Sequence, residues 1–200
     1  MDKKNIIIIV IALVILVVGS FIIFYYIADY PFEDERIKIS VPAQTSFNIT
    51  ATTGGGWTII RYNSSDENNI IIDLMKPGKL DASVLGVELD LYGITKNVMV
   101  NDLTENKGYK IETVRENYTV YFNLEKNNFI ALLFDDEKEV IVMISCDDSH
   151  ELISKLAGSF VLKSFTTEGL KIENVQYTES NTATNNTTTV QIENNSSSIT

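Results

Sequence analysis

The sequence predicts an α+β protein in three parts. These are an N-terminal transmembrane helix, an exported domain whose antiparallel sheet is covered by one or two helices, and a disordered C-terminal tail. An uninterrupted apolar run fills residues 6–28, apolar and polar residues alternate in the second half, and Ser, Thr and Asn dominate residues 177–200. The predicted segments are a cytoplasmic stub (1–5), the transmembrane helix (6–28), a linker (29–35), the exported domain (36–165), a connecting segment (166–176) and the tail (177–200).

Length and composition exclude several classes of protein. Two hundred residues suffice for one domain with a sizeable core. The net charge of −11, from 16 basic and 27 acidic residues, argues against a nucleic-acid partner, which would require a basic surface. One histidine and one cysteine exclude a histidine-rich metal site and a disulfide scaffold. We therefore predict no metal and no cofactor.

The apolar run predicts the transmembrane helix. Residues 6–28 read IIIIVIALVILVVGSFIIFYYIA, without a charge. As a helix rising about 1.5 Å per residue they would span about 34 Å, slightly more than a hydrocarbon core of about 30 Å. A buried core helix would carry some polar positions, and a cleaved secretory signal has a shorter apolar region followed by small residues. An uncleaved anchor is the favoured interpretation.

Flanking charges predict the orientation of this helix. Lys3 and Lys4 precede the run, whereas Asp29 and the acidic residues at 33–35 follow it. The positive-inside rule then leaves the N-terminus in the cytoplasm and exports the domain and the tail. The predicted location is the cell membrane, with a single pass. The predicted partners are the membrane itself and an unidentified extracellular or envelope molecule.

The clearest strand pattern lies between Lys107 and Cys146. Short polar turns separate the segments GYKIETVR, YTVYFNL, FIALLF and EVIVMISC. Alternation with period two is typical of strands, and connections this short join antiparallel neighbours. We predict a four-stranded meander. Because FIALLF and VIVMIS are apolar on both faces, we expect both faces of these strands to be covered.

A helix is predicted directly after the meander. Apolar residues recur at helical spacing in HELISKLAGSF, and Asp148 with Glu151 resembles a capping box. The following VLKSF is expected to return as a strand.

The first half of the domain is less regular. Strands are predicted for RIKISV, TSFNITAT, WTIIRY and NIIIDLM, with a flexible connection at Thr52–Gly56. Residues 80–94 fit either a strand or a helix. The helix is favoured because Asp81, after Pro77 and Gly78, is a suitable N-cap.

The tail is predicted to be disordered because it has no core-forming periodicity. Such a segment cannot bury enough apolar surface to offset its chain entropy, and Ser/Thr-rich tracts of exported proteins are commonly glycosylated spacers. The specific alternative is that VQIEN pairs with an exposed edge of the sheet.

Seven asparagines occur in N-x-[ST] triplets and are candidate glycan acceptors in an exported chain. Only the acceptor in the predicted turn of the meander has an independent reason to be accessible. The candidates are Asn48, Asn63, Asn117, Asn185, Asn186, Asn194 and Asn195.

Four other features are candidate chemical sites. Gly54–Gly56 lacks the Lys and Ser/Thr of a phosphate-binding loop and predicts a plain turn. The acidic residues at 135–137 and 147–148 could attract calcium, but they do not match an EF-hand and predict turn and capping roles. His150 is expected to be exposed. Cys146 is expected to be a buried apolar residue, with an intermolecular disulfide as the alternative. We predict no catalytic residue and no enzymatic activity.

The order of these segments resembles a known family. The anchor is followed by RIKISVPAQTSFNIT, the WTIIRY and NIIIDLM strands, an amphipathic stretch, the meander and the HELISKLAGSF helix. Over residues 36–165 this order resembles small membrane-anchored surface proteins of methanogenic archaea whose exported domain is similar to the PsbP/Mog1 fold. The resemblance implies a sandwich with a central antiparallel sheet. It implies no catalytic or metal residue, because the sequence contains no such motif.

The leading functional prediction is a membrane-anchored, surface-displayed binding or envelope-associated module. One alternative is a pilin-like filament subunit, although the apolar run lacks the usual acidic residue near its start. The other is a tethered enzyme or ligand carrier with a pocket between sheet and helix, which would need convergent polar groups in an apolar cleft.

Overall fold

The computed structural model describes residues 12–20, 29–78, 90–147, 149–176 and 191–192. Residues 12–20 form helix α1, and the other helices are α2 (Leu91–Asn101), continued by a π-helical turn (Asp102–Asn106), and α3 (His150–Ser159). The strands are β1 (Tyr30–Glu33), β2 (Ile37–Val41), β3 (Phe47–Gly54), β4 (Trp57–Ser64), β5 (Ile71–Pro77), β6 (Lys110–Val114), β7 (Thr119–Asn123), β8 (Asn128–Asp135), β9 (Val140–Asp147), β10 (Val161–Leu162), β11 (Ile172–Gln176) and β12 (Gln191–Ile192).

One large sheet organises the domain, with strand order β12-β11-β3-β4-β5-β9-β8-β7-β6. One half of this sheet is the predicted meander, since β6, β7, β8 and β9 are antiparallel neighbours in chain order. The other half contains β3, β4 and β5, which are also antiparallel neighbours. The two halves join where β5 pairs with β9. Strand β11 is the exception to the antiparallel pattern because it runs parallel to β3.

A second, three-stranded sheet of order β1-β2-β10 and helix α3 cover what we call the front face of the large sheet. Ile37 and Ile39 of β2, together with Ile153 and Leu156 of α3, are fully or almost fully buried there. They pack against alternate residues of the central strands, because side chains two positions apart in a strand share one face. This layer forms the main core.

The opposite face, which we call the back face, is covered over the meander by α2 and the π-helical turn. Leu103 from the turn, with Tyr109, packs on Tyr121, Ile130 and Leu132. Both faces of β8 and β9 are therefore buried. The expectation drawn from their apolar runs is confirmed.

The predicted fold class is wrong as a whole. In the part of the chain that the structure describes, strands make up 44% and helices 25%, so the fold is mainly β rather than α+β. The four strands predicted in the first half correspond to β2, β3, β4 and β5, and β1 and β11 are strands that the sequence did not predict.

The predicted transmembrane helix over residues 6–28 is also contradicted. In the described part of the chain, no helix is both long enough and apolar enough to cross a membrane. Residues 6–11 and 21–28 of the prediction lie outside the described residues.

Three smaller predictions concern the caps of two helices and the tail. The N-cap of α3 is Ser149, whose hydroxyl accepts a hydrogen bond from the Leu152 amide at 3.1 Å, whereas the predicted cap Asp148 lies outside the described residues. Most of the ambiguous segment 80–94, including Asp81, lies outside them too, and the described helix α2 begins at Leu91 with Asp90 as its cap. In the tail predicted to be disordered, β12 pairs with β11, which is the stated alternative for VQIEN.

Candidate functional site

The large sheet has a notch where two strands of the meander differ in length. Strand β7 starts at Thr119, which is opposite Leu132 of β8. Strand β8 continues for three more residues, Leu133–Asp135, and these pair with β9. On the other side of these three residues, the described chain places no strand. The notch therefore leaves a short edge of β8 without a neighbouring strand in the described part of the chain.

A cleft of 610 Å³ opens at this notch. Its walls come from α2, the β6–β7 turn, the β8–β9 hairpin and the segment that follows α3. The lining residues are Lys96, Arg115, Glu116, Asn117, Tyr118, Thr119, Leu132, Leu133, Phe134, Asp135, Asp136, Glu137, Val142, Phe160 and Leu162. A volume of this size is within the range of ligand-binding clefts.

One wall of the cleft is built on a charged contact between α2 and the β8–β9 turn. The Lys96 ammonium group lies 2.7 Å from Asp136 Oδ1 and 4.9 Å from the centre of the Phe134 ring. The Tyr92 hydroxyl donates to the same carboxylate oxygen at 2.8 Å. The hydrogen bond from Lys96, followed by the one from Tyr92, lowers the pKa of Asp136 below its usual value. Lys96 is thereby held in place at the rim by a carboxylate and an aromatic ring.

The remaining charges at the rim divide into paired and unpaired groups. Asp135 is paired, since it accepts hydrogen bonds from the backbone amide and the ammonium group of Lys138. Arg115, Glu116 and Glu137 have no ion-pair partner among the residues that the structure describes. All three are exposed. These charges are available to a ligand.

The floor of the cleft is apolar. Leu133 and Val142 are buried members of the main core, and Phe160 and Leu162 pack partly buried beside them. Leu132 and Phe134 lie on the back face because side chains alternate along β8. The cleft therefore combines an apolar floor, a strand edge and a charged rim.

The structure places the three described glycan candidates at exposed positions. Asn48 and Asn63 are direct partners across β3 and β4. Asn117 lies in the β6–β7 turn, as predicted, and it also lines the cleft. The candidates Asn185, Asn186, Asn194 and Asn195 lie outside the described residues. Use of these positions stays a prediction.

The other sequence features have structural roles. Gly55 and Gly56 have φ values of 59° and 80° in the tight β3–β4 turn, which requires the left-handed region. His150 packs edge-on against Phe129 and lies 3.2 Å from the Thr113 hydroxyl. Cys146 is 1% exposed, which favours the buried apolar interpretation, and burial raises its pKa to about 12. The described residues contain no group of three potential metal ligands.

Sequence reasoning missed the cleft and two buried polar contacts. Arg36, which is 5% exposed, donates to the carbonyls of Thr166 and Glu168 and ties β2 to the segment after β10. Arg61 makes a bidentate contact with buried Asp73, at 2.7 and 2.8 Å. The available signal was an acidic residue in the middle of the apolar NIIIDLM strand, because a buried carboxylate needs a partner.

Comparison with known proteins does not identify a relative. No family model matches the chain, and no curated protein or solved structure is significantly similar to it. The resemblance to proteins with a PsbP/Mog1-like domain stays a prediction.

Proposed function

We propose that this protein is a binding module whose ligand occupies the notch cleft. The observation that carries the proposal is the convergence of four elements on one cleft with an apolar floor and unpaired rim charges. Binding sites of this kind orient a ligand with a few polar groups over an apolar surface. An extracytoplasmic location of the module stays a prediction.

The side chains that could have acted as catalytic groups are buried, packed or paired, and this favours a binding function over an enzymatic one. The buried Cys146 thiol has a raised pKa, so it is a poor nucleophile near neutral pH. The His150 ring lies against Phe129, and neither residue lines the cleft. The carboxylates Asp135 and Asp136 of the rim are held as salt bridges with Lys138 and Lys96.

A cleft-filling variant tests the proposal. Thr119→Trp would add an indole to the cleft lining, on the back-face side that Thr119 shares with its cross-strand partner Leu132, at a strand position that accepts aromatic residues. The matched control is Thr52→Trp in β3, outside the cleft lining. A mixed library of short peptides, saccharides and small carboxylic acids is screened by binding to the full chain.

We expect at least one class of ligand to bind the wild type and the control, and to bind Thr119→Trp about ten-fold more weakly or worse. Thermal unfolding of each variant shows that it is folded. A ligand that binds Thr119→Trp as tightly as the wild type, with no other ligand sensitive to this change, would contradict the proposal.

A further inference from the structure

We infer that the edge of β8 in the notch binds an extended, cationic polypeptide segment as an added strand. This inference rests on the proposed function and specifies its ligand. It starts from the backbone of Leu133–Asp135, which pairs with β9 on one side and faces the cleft on the other. Alternate residues of a strand direct their N–H and C=O groups to opposite sides. At least one of these three residues therefore presents both groups to the cleft.

The other sheet edges are shorter, irregular or interrupted by proline, whereas the three-residue edge in the notch is regular and partly apolar. Strand β6 has an irregular register around Glu112 and carries charged side chains. Strand β1 contains Pro31, and β10 and β12 are each two residues long. These are the usual protections of an exposed edge. The pairing of β8 with β9 is regular through Asp135, and the edge in the notch includes two apolar residues.

The floor of the cleft gives the added strand a contact for one side chain. Side chains of an added strand alternate between the two faces of the sheet. One set would meet Leu133, Phe160 and Leu162 on the front face. This arrangement corresponds to strand-addition sites, in which main-chain hydrogen bonds hold the peptide and a pocket selects a side chain.

The unpaired charges favour a cationic segment. The rim offers the carboxylates of Glu116 and Glu137 and one guanidinium group, on Arg115, without an ion-pair partner in the described part of the chain. The whole chain has a net charge of −11. A field of this sign speeds the approach of cationic ligands and slows that of anionic ones.

The probe is the blocked peptide acetyl-Lys-Val-Lys-Val-Lys-amide, added to the full chain. Two modified forms of this peptide are compared with it. One form is N-methylated at the backbone nitrogens of both Val residues, and the other at the backbone nitrogens of the second and third Lys residues. Because only alternate residues of an added strand donate to β8, we expect one modified form to bind about ten-fold more weakly and the other to bind nearly as the parent does. Hydrogen exchange at residues 133–135 should slow when the parent peptide binds.

The controls separate this inference from the proposed function. The acidic analogue acetyl-Glu-Val-Glu-Val-Glu-amide should bind more weakly than the parent peptide. The double variant Glu116→Gln, Glu137→Gln should reduce this preference.

Three outcomes would overturn the inference. If both methylated forms bind like the parent and Thr119→Trp still abolishes binding, the cleft binds the peptide without adding it as a strand, and the inference is overturned while the proposed function stands. If the parent peptide binds Thr119→Trp and the wild type equally, this peptide does not use the cleft, and the inference is also overturned. Absence of parent binding overturns the cationic-peptide assignment, and the library screen alone then decides the proposed function.

Discussion

The two faces of the large sheet differ in how they are covered. The front face buries an extended core beneath a second sheet and α3, with twenty buried residues in one cluster of the described chain. The back face buries a separate cluster of five beneath α2 and the π-helical turn. Surrounding residues such as Met99, Val100 and Phe134 are only partly buried. The front layer is therefore the main source of stability, and the back layer has more room to adjust.

This difference explains where the cleft forms. The front core leaves few gaps because side chains from the large sheet, the second sheet and α3 fill it at the density of a protein interior. At the notch, β7 is too short to cover the end of β8, and α2 reaches it mainly through Lys96. The cleft lies where the coverage of both faces ends. Four substitutions test this comparison, and they follow in order of decreasing effect on stability.

Ile144→Ala should be the most destabilising of the four. Ile144 is fully buried in β9, between Ile72 of β5 and Ala131 of β8. Truncation leaves a cavity that surrounding strands cannot close, so we expect a loss of about 4 kcal/mol in the free energy of unfolding. Urea denaturation measures this loss. A loss below about 1 kcal/mol would mean that the front core is loosely packed.

Leu103→Ala should cost less, about 2 kcal/mol, although it also truncates a buried leucine. Its neighbours Met99 and Val100 are partly exposed and can move into the space. The same denaturation experiment compares the two variants directly. A loss equal to that of Ile144→Ala would show that the two faces are packed alike.

Asp34→Asn should have a smaller effect that depends on pH. Burial alone would raise the pKa of Asp34, but hydrogen bonds from the Ile37 and Arg36 amides and the Tyr62 hydroxyl outweigh it and lower the pKa below 3.8. A carboxylate with a lowered pKa stabilises the native state above its unfolded pKa, and this contribution is lost as the pH falls through the folded value.

At pH 7 we expect Asp34→Asn to lose about 1 kcal/mol, after allowance for the partial exposure of the group. The difference from wild type should shrink when denaturation is repeated below about pH 3.8. The control is Glu67→Gln, at an exposed position. A difference that grows in acid would contradict the assigned direction of the pKa.

Lys126→Ala should change stability by less than about 0.5 kcal/mol. Lys126 is exposed in the β7–β8 turn, and the hydrogen bond from its backbone amide to Asn123 does not depend on the side chain. Its ammonium group lies 5.9 Å from the Tyr109 ring, a weak contact at an exposed site. A loss above 1 kcal/mol would show that this turn contributes to the back cluster.

The sequence predicted the second half of the fold better than the first. The meander and α3 follow from local signals, because short turns such as the one at Asn127, with φ 49°, force neighbouring strands to pair. The N-cap moved by one residue, to Ser149, since two adjacent polar residues were both suitable caps. The apolar run at 6–28 was a strong compositional signal, yet the described structure contains no helix able to span a membrane.

The candidate site could not have been found in this way. Its residues come from four segments spread between Lys96 and Leu162, and no spacing in the sequence links them. Besides the acidic residues at 135–137, which the sequence assigned to turn and capping roles, Asn117 is the candidate named from sequence that lines the cleft. Its selection rested on turn accessibility, which says nothing about what lies beside the turn.

Periodicity and turn chemistry act over a few residues, so they were enough to predict the strand segments of the meander, the front-facing residues of α3 and the Gly-rich turn. Local patterns did not predict that β5 pairs with β9, that β11 lies parallel to β3 or that β8 extends past β7. Such pairings join distant segments, and their free energy depends on loop closure and on packing against both neighbours. The cleft is a product of these long-range pairings, and this is the physical reason that local sequence patterns do not reveal it.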